Sequence, residues 1–63
     1  MQDIKELTLE ELKRVLKKWD EPPFHAKQIF SWVYKKGILD FERMSDLPLD
    51  LRERLKENFY LLG

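Results

Sequence analysis

The sequence predicts a small all-α domain: a bundle of three main helices and one short helical turn, similar in shape to helix-hairpin-helix modules. Apolar residues recur at intervals of three and four, and no segment alternates with the two-residue period of a strand. Proline, glycine and capping residues divide the chain at clear points. With 63 residues and no linker or repeat, residues 1–63 are expected to form a single domain.

The first helix is predicted to start at Thr8, because Glu11 lies three residues later and completes a capping box. It should end near Trp19, since the two prolines at 22 and 23 disfavour its continuation. One stripe of apolar residues then faces the core: Leu9, Leu12, Val15, Leu16 and Trp19. Before it, Ile4 and Leu7 are expected to pack onto the core.

The central helix is predicted over residues 22–37, and the rest of the chain should fold against it. Proline fits the first turn of a helix, and Gly37 suits the left-handed position just after its end. One face is strongly apolar: Ala26, Ile29, Phe30 and Val33, flanked by Trp32 and Tyr34. This arc is wider than the stripe of about 100° on a surface helix, which predicts packing on two sides.

The remaining segment should contain one helical turn and the third helix. Asp40 is expected to cap a turn over residues 41–44, and Pro48 to open the third helix. Its buried side should include the following residues: Leu47, Leu51, Leu55, Phe59 and Leu62.

The composition excludes several classes of site. The chain has no cysteine and one histidine, so it offers no disulfide, no thiolate metal site and no cysteine nucleophile. Neither a membrane span nor a signal peptide is evident. Twelve basic and twelve acidic residues cancel, so net charge gives no argument for a polyanionic partner.

Local charge is more informative, because residues 22–37 carry three lysines and no acid. The candidate contacts for a nucleic acid are His25, Lys27, Trp32, Lys35 and Lys36, with Lys17 and Lys18 from the first helix. Each has an alternative: a solvated lysine face, a half-exposed histidine without function, and a tryptophan that closes the core against the third helix. In the functional alternative, Trp32 is a base-stacking platform beside positive charge.

A resemblance to a known family covers most of the chain. The matching pieces are Pro23-Phe24-His25-Ala26-Lys27-Gln28-Ile29-Phe30, Trp32-Val33-Tyr34-Lys35-Lys36-Gly37, Asp40-Phe41, Met44, Leu47-Pro48 and Leu51-Arg52. In order and spacing they resemble the N-terminal domain of the RlmN/Cfr family. Those bacterial proteins are radical S-adenosylmethionine methyltransferases that methylate adenosine in ribosomal RNA and, for RlmN, in transfer RNA.

The resemblance implies an accessory domain of a longer cytoplasmic enzyme, helping to engage RNA beside its catalytic barrel. It implies S-adenosylmethionine and a [4Fe-4S] cluster in the parent enzyme, held by a Cys-x-x-x-Cys-x-x-Cys loop. This chain has no cysteine, so we expect it to bind no cofactor and to carry no catalytic residue. Because its apolar stripes converge and its helix ends are capped, we expect it to be monomeric. His25 departs from the arginine common in the family at this position, so a phosphate contact there does not carry over.

Two other classes of function remain open from the residues alone. A helix, a proline turn and a second amphipathic helix also suit small SAP-like DNA-binding modules, although those carry a stronger basic face. A domain that only docks on its own catalytic part or on another protein would favour an exposed apolar patch beside Trp32.

Overall fold

Three helices form the body of the protein, as the sequence predicts. In the computed structural model, which describes residues 1–62, α1 spans Leu9–Lys18, α2 spans His25–Phe30 and α3 spans Leu49–Asn58. A π-helical turn, Ser31–Lys35, continues α2 without a break, and the two together are called the central helix below. The last residue of the predicted domain, Gly63, lies outside the described residues.

Short elements connect and fasten the helices. Two 3-10 helices span Ile4–Glu6 and Phe41–Arg43. The first strand, β1 (Gln2–Asp3), pairs in parallel with β2 (Phe59–Tyr60). The sequence did not predict these strands, because two residues are too few to show an alternating pattern. The fold is all-α apart from this pair.

Three of the predicted helix signals are confirmed, whereas the central helix begins at His25, three residues after its predicted start at residue 22. The Thr8 hydroxyl accepts a hydrogen bond from the backbone N–H of Glu11 at 3.1 Å, and the Glu11 carboxylate accepts one from the Thr8 N–H at 2.8 Å. Gly37 has a φ of 65° after the central helix, where glycine avoids the strain of a side chain. Asp40 caps the short turn by accepting from the Glu42 N–H at 3.0 Å.

The core lies where the three helices and the second 3-10 helix meet. Its buried apolar side chains are Ile4, Leu12, Leu16, Ala26, Ile29, Val33, Phe41, Met44, Leu47, Leu51, Leu55 and Phe59. Two predictions about this core are wrong. Phe30 is only partly buried at the edge of the central helix, and Leu62 is 62% exposed because the chain leaves α3 before reaching it.

Within residues 1–62, every helix is too short or too polar to cross a membrane.

Candidate functional site

An apolar hollow between α1 and the central helix is lined by lysines and contains no carboxylate in its wall. The hollow has a volume of about 350 Å³. Its lining residues are Leu9, Lys27, Phe30, Ser31, Tyr34 and Lys35. Lys27, Ser31 and Lys35 follow one another at intervals of four, so they form one row along the helix. We call this feature the Tyr34 hollow.

Tyr34 is the exposed aromatic ring of this hollow, with 55% of its surface open to solvent. Its hydroxyl donates a hydrogen bond to the backbone oxygen of Lys5 at 3.3 Å. Its ring packs against the ring of Phe30 in an edge-on arrangement, with the ring centroids 5.1 Å apart and the planes at 64°. The side chain therefore has two contacts within the chain, while a large part of its ring faces solvent.

Trp32 lies on a different edge of the central helix and is partly buried against the core. Its Nε1–H donates to Oδ1 of Asp46 at 2.7 Å. The ammonium of Lys36 lies 4.0 Å from the centroid of its ring, a cation–π contact. Trp32 and Lys36 therefore share one edge of the helix, and the indole stacks on a lysine of its own chain.

His25 is buried, with 7% of its surface exposed, and is not the half-exposed side chain expected in the alternative without function. Its Nδ1 lies 2.5 Å from Oε1 of Gln28, and it donates because an amide oxygen can only accept. The ring also packs against Phe24 with centroids 4.3 Å apart. The imidazole is therefore largely withdrawn from solvent, with Gln28 and Phe24 as neighbours.

The two lysines of α1 lie apart from the Tyr34 hollow. Lys17 lines a second depression with Asp20, Glu21 and the two prolines, where the carboxylates weaken its positive potential. Lys18 lines a third depression with Arg14 and Glu11. The structure therefore brings Lys27 and Lys35 together at the hollow and Trp32 and Lys36 together on another edge, and it separates the other predicted contact residues from both.

The lysines fall into two groups, those that have an ion-pair partner and those that have none among the described residues. Within residues 1–62, Lys5 pairs with Asp3 at 3.8 Å, Lys13 with Glu10 at 3.5 Å and Lys56 with Glu42 at 2.5 Å. None of the lysines of the central helix has a carboxylate within ion-pair distance among these residues. Lys36 lies over the ring of Trp32, so Lys27 and Lys35 are the lysines of this helix best placed for an outside partner.

The described residues offer no metal centre, since no group of three histidines, aspartates or glutamates lies close enough to bind an ion. The Tyr34 hollow is the feature that sequence reasoning missed. Trp32 drew attention as the larger ring, whereas Tyr34 is the ring beside two lysines. The signal available was its position seven residues after Lys27, which places both on one side of a helix.

The fold matches part of a much larger enzyme. It superimposes with a TM-score of 0.91 on the crystal structure of a radical SAM methyltransferase from Sphaerobacter thermophilus, at 34% sequence identity. The match covers 97% of this chain and 18% of that chain. The fold is therefore that of a domain found in radical SAM methyltransferases.

The family is shown by the sequence. Residues 2–61 match the family model described as the ribosomal RNA large subunit methyltransferase N-terminal domain, and the chain belongs to this family. It is 48% identical over 61 residues to the probable dual-specificity RNA methyltransferase RlmN of Clostridium novyi, strain NT. Identity to the corresponding protein of Clostridium botulinum, strain Okra, is 44% over 61 residues. The chain spans 18% of the length of these relatives.

Proposed function

We propose that this chain is the N-terminal accessory domain of a radical SAM methyltransferase, and that it engages the RNA substrate without taking part in catalysis. The parent enzyme would act in the cytoplasm on ribosomal and transfer RNA, with its catalytic barrel as the other partner of this domain. The proposal places residues 1–63 in one monomeric unit. Support comes from the family, from RNA methyltransferase relatives and from the surface of the central helix.

The observation that carries the proposal is the lysine charge of the central helix. Lys27 and Lys35 line one hollow without a carboxylate, on a segment that has no acid from residue 22 to residue 37. Unpaired ammonium groups on a fixed helix suit phosphate oxygens, which give affinity with little sequence preference. A few such contacts bind weakly alone and gain strength when a tethered second site also holds the RNA.

The cofactors of the parent enzyme belong to its remaining part. A [4Fe-4S] cluster is held by cysteine thiolates, and this chain has no cysteine. The residues present therefore do not fit such a cluster, and no chemical step is assigned to them. S-adenosylmethionine would bind beside the cluster, outside this domain.

Two other functions compete with RNA binding. DNA binding is less well supported, and docking on the catalytic part is decided by the experiment below. The relatives are RNA methyltransferases by name, which favours RNA over the DNA of a SAP-like module. Docking on the catalytic part alone predicts that the lysines of the central helix have no influence on RNA affinity.

The test is Lys35→Glu in the full-length parent enzyme, with Arg43→Glu as the matched control. Both side chains are exposed, both changes alter the net charge by two, and Arg43 lies in the separate 3-10 helix. Lys35→Glu should lower RNA affinity several-fold at low salt and reduce the slope of log K against log salt by about 0.7–0.9. Cofactor cleavage without RNA should stay unchanged in both variants. Equal RNA affinity of the two variants would reject RNA contact at this face and favour docking.

A further inference from the structure

We propose that the Tyr34 hollow binds one unstacked base of single-stranded RNA, with Lys27 and Lys35 placed for the neighbouring phosphates. This inference rests on the proposed function and specifies the form of RNA that the domain takes. It moves the stacking role from Trp32 to Tyr34.

The aromatic component of the hollow is the exposed ring of Tyr34. Tyr34 is 55% exposed, and it contacts the backbone oxygen of Lys5 through its hydroxyl and the ring of Phe30. Fixing a side chain before binding removes part of the entropy cost of association. A base can stack on such a ring whatever its identity, because every base has a π-face.

The other aromatic rings are less suited to the task. The ring of Trp32 is contacted by Lys36, and that of Trp19 lies against Phe59 and the guanidinium of Arg54. Phe24 is 58% exposed, but it does not line the lysine-bearing hollow.

Charge complementarity selects a polyanion as the occupant. Two lysines and no carboxylate line an otherwise apolar hollow, so an apolar occupant needs negative charge beside it. A nucleotide supplies both parts, a flat apolar base and a phosphate on each side. A base inside an RNA duplex is stacked between its neighbours and does not reach a pocket of this kind, which specifies a single-stranded segment.

The wide turn of the helix supports the same assignment. The π-helical turn Ser31–Lys35 includes Tyr34 and one of the two lysines. Turns of this type are rare and are often located at functional sites. Here the turn contains both the exposed ring of Tyr34 and the ammonium group of Lys35.

The experiment titrates the 63-residue chain into a single-stranded RNA of about eight nucleotides that carries one 2-aminopurine, and into the duplex of the same sequence. Quenching of the 2-aminopurine fluorescence reports stacking on an aromatic ring, and its concentration dependence gives the affinity. Tyr34→Phe keeps the ring, and Tyr34→Leu keeps apolar bulk without the ring. Circular dichroism checks that each variant is folded before titration.

The expected result is quenching and tighter binding with the single strand than with the duplex. Tyr34→Phe should retain both, whereas Tyr34→Leu should bind about tenfold more weakly and lose the quenching, as for the loss of one stacked base. Equal binding of single strand and duplex would overturn the proposal. So would a Tyr34→Leu variant that binds and quenches like the parent chain.

Lys35→Glu distinguishes this inference from the proposed function on which it rests. If Lys35→Glu weakens binding and Tyr34→Leu does not, the domain binds RNA without a base site. If neither variant changes binding, or if the chain binds no RNA at low salt, both proposals fail. A Tyr34→Leu variant that keeps RNA affinity but loses association with the separately produced catalytic part would show a protein-docking surface instead.

Discussion

Asp3 lies at the point where the two ends of the described chain meet. Its carboxylate accepts hydrogen bonds from the backbone N–H of Lys5 at 2.9 Å and of Leu62 at 3.3 Å. The Lys5 ammonium lies 3.8 Å away and also donates to the Leu62 carbonyl oxygen. A single side chain thus caps the first 3-10 helix and fastens the segment after β2.

This arrangement predicts a pH-dependent contribution of Asp3 to stability. The backbone hydrogen bond from Lys5 is the main cause that lowers the pKa of Asp3 below its ordinary value of 3.8. A group whose pKa is lowered by folding stabilises the folded state above its unfolded pKa, and this stabilisation is lost as the pH falls through the folded pKa. Asp3→Asn should therefore lower the melting temperature near about pH 7 and have a smaller effect near about pH 2.5.

Thermal melts of the parent chain and Asp3→Asn across this pH range make the comparison. The pKa of Glu11 is also lowered, chiefly by the hydrogen bond from the Thr8 N–H. This group is present in both proteins, so its effect cancels in the difference. A melting-temperature difference that is constant with pH would show that the charge of Asp3 is not what stabilises the contact.

At the scale of the element, the central helix shows which face is buried. Ile29 is 1% exposed, while Phe30 is partly buried and lines the Tyr34 hollow. Adjacent residues on a helix are separated by about 100°, and here Phe30 points to the side of the buried face, into the wall of the hollow. The outer edge of the apolar arc seen in the sequence therefore forms a surface hollow and is not part of the core.

We expect Ile29→Ala to destabilise the domain much more than Phe30→Ala. Truncation of a fully buried isoleucine costs about 2–5 kcal/mol, which is comparable with the whole stability of a domain this small, about 3–5 kcal/mol. Phe30→Ala removes partly exposed surface and leaves a smaller cavity. Urea unfolding followed by circular dichroism measures the stability of both variants. A larger loss of stability for Phe30→Ala would show that the core lies on the Phe30 side of the helix.

The helix boundaries could be predicted because they depend on local chemistry. The Thr8–Glu11 capping box, the left-handed Gly37 and the Asp40 cap each involve residues within a few positions of one another. The pairing of Gln2 with Phe59 joins residues from opposite ends of the chain, and no local pattern reports it. The π-helical turn also escaped prediction, since its residues have ordinary helical preferences.

At the scale of the whole molecule, the family was predictable and the site was predictable only in part. The order of short motifs along the chain was sufficient to indicate an RlmN-type N-terminal domain, which the family match confirms. The lysines were identified from the acid-free segment, but their grouping depends on packing against α1. That contact places Leu9 beside Lys27 and Lys35, and it leaves the ring of Tyr34 exposed to solvent.

The charge of the molecule is divided between two regions. Residues 22–37 carry three basic and no acidic residues, whereas residues 40–57 carry four basic and six acidic residues. A neutral chain can therefore present one basic surface and one acidic surface. We propose that RNA contacts the first of these regions.

The measurement that tests this claim most directly is amide chemical-shift mapping of the isotope-labelled chain during titration with single-stranded RNA at low salt. RNA contact at the central helix predicts the largest amide shift changes within residues 27–36 and at Leu9 across the hollow. Changes within residues 40–57 should be small, and all changes should decrease as salt is added. If the largest shift changes lay within residues 40–57, or if no amide shifted, RNA contact at the central helix would be contradicted.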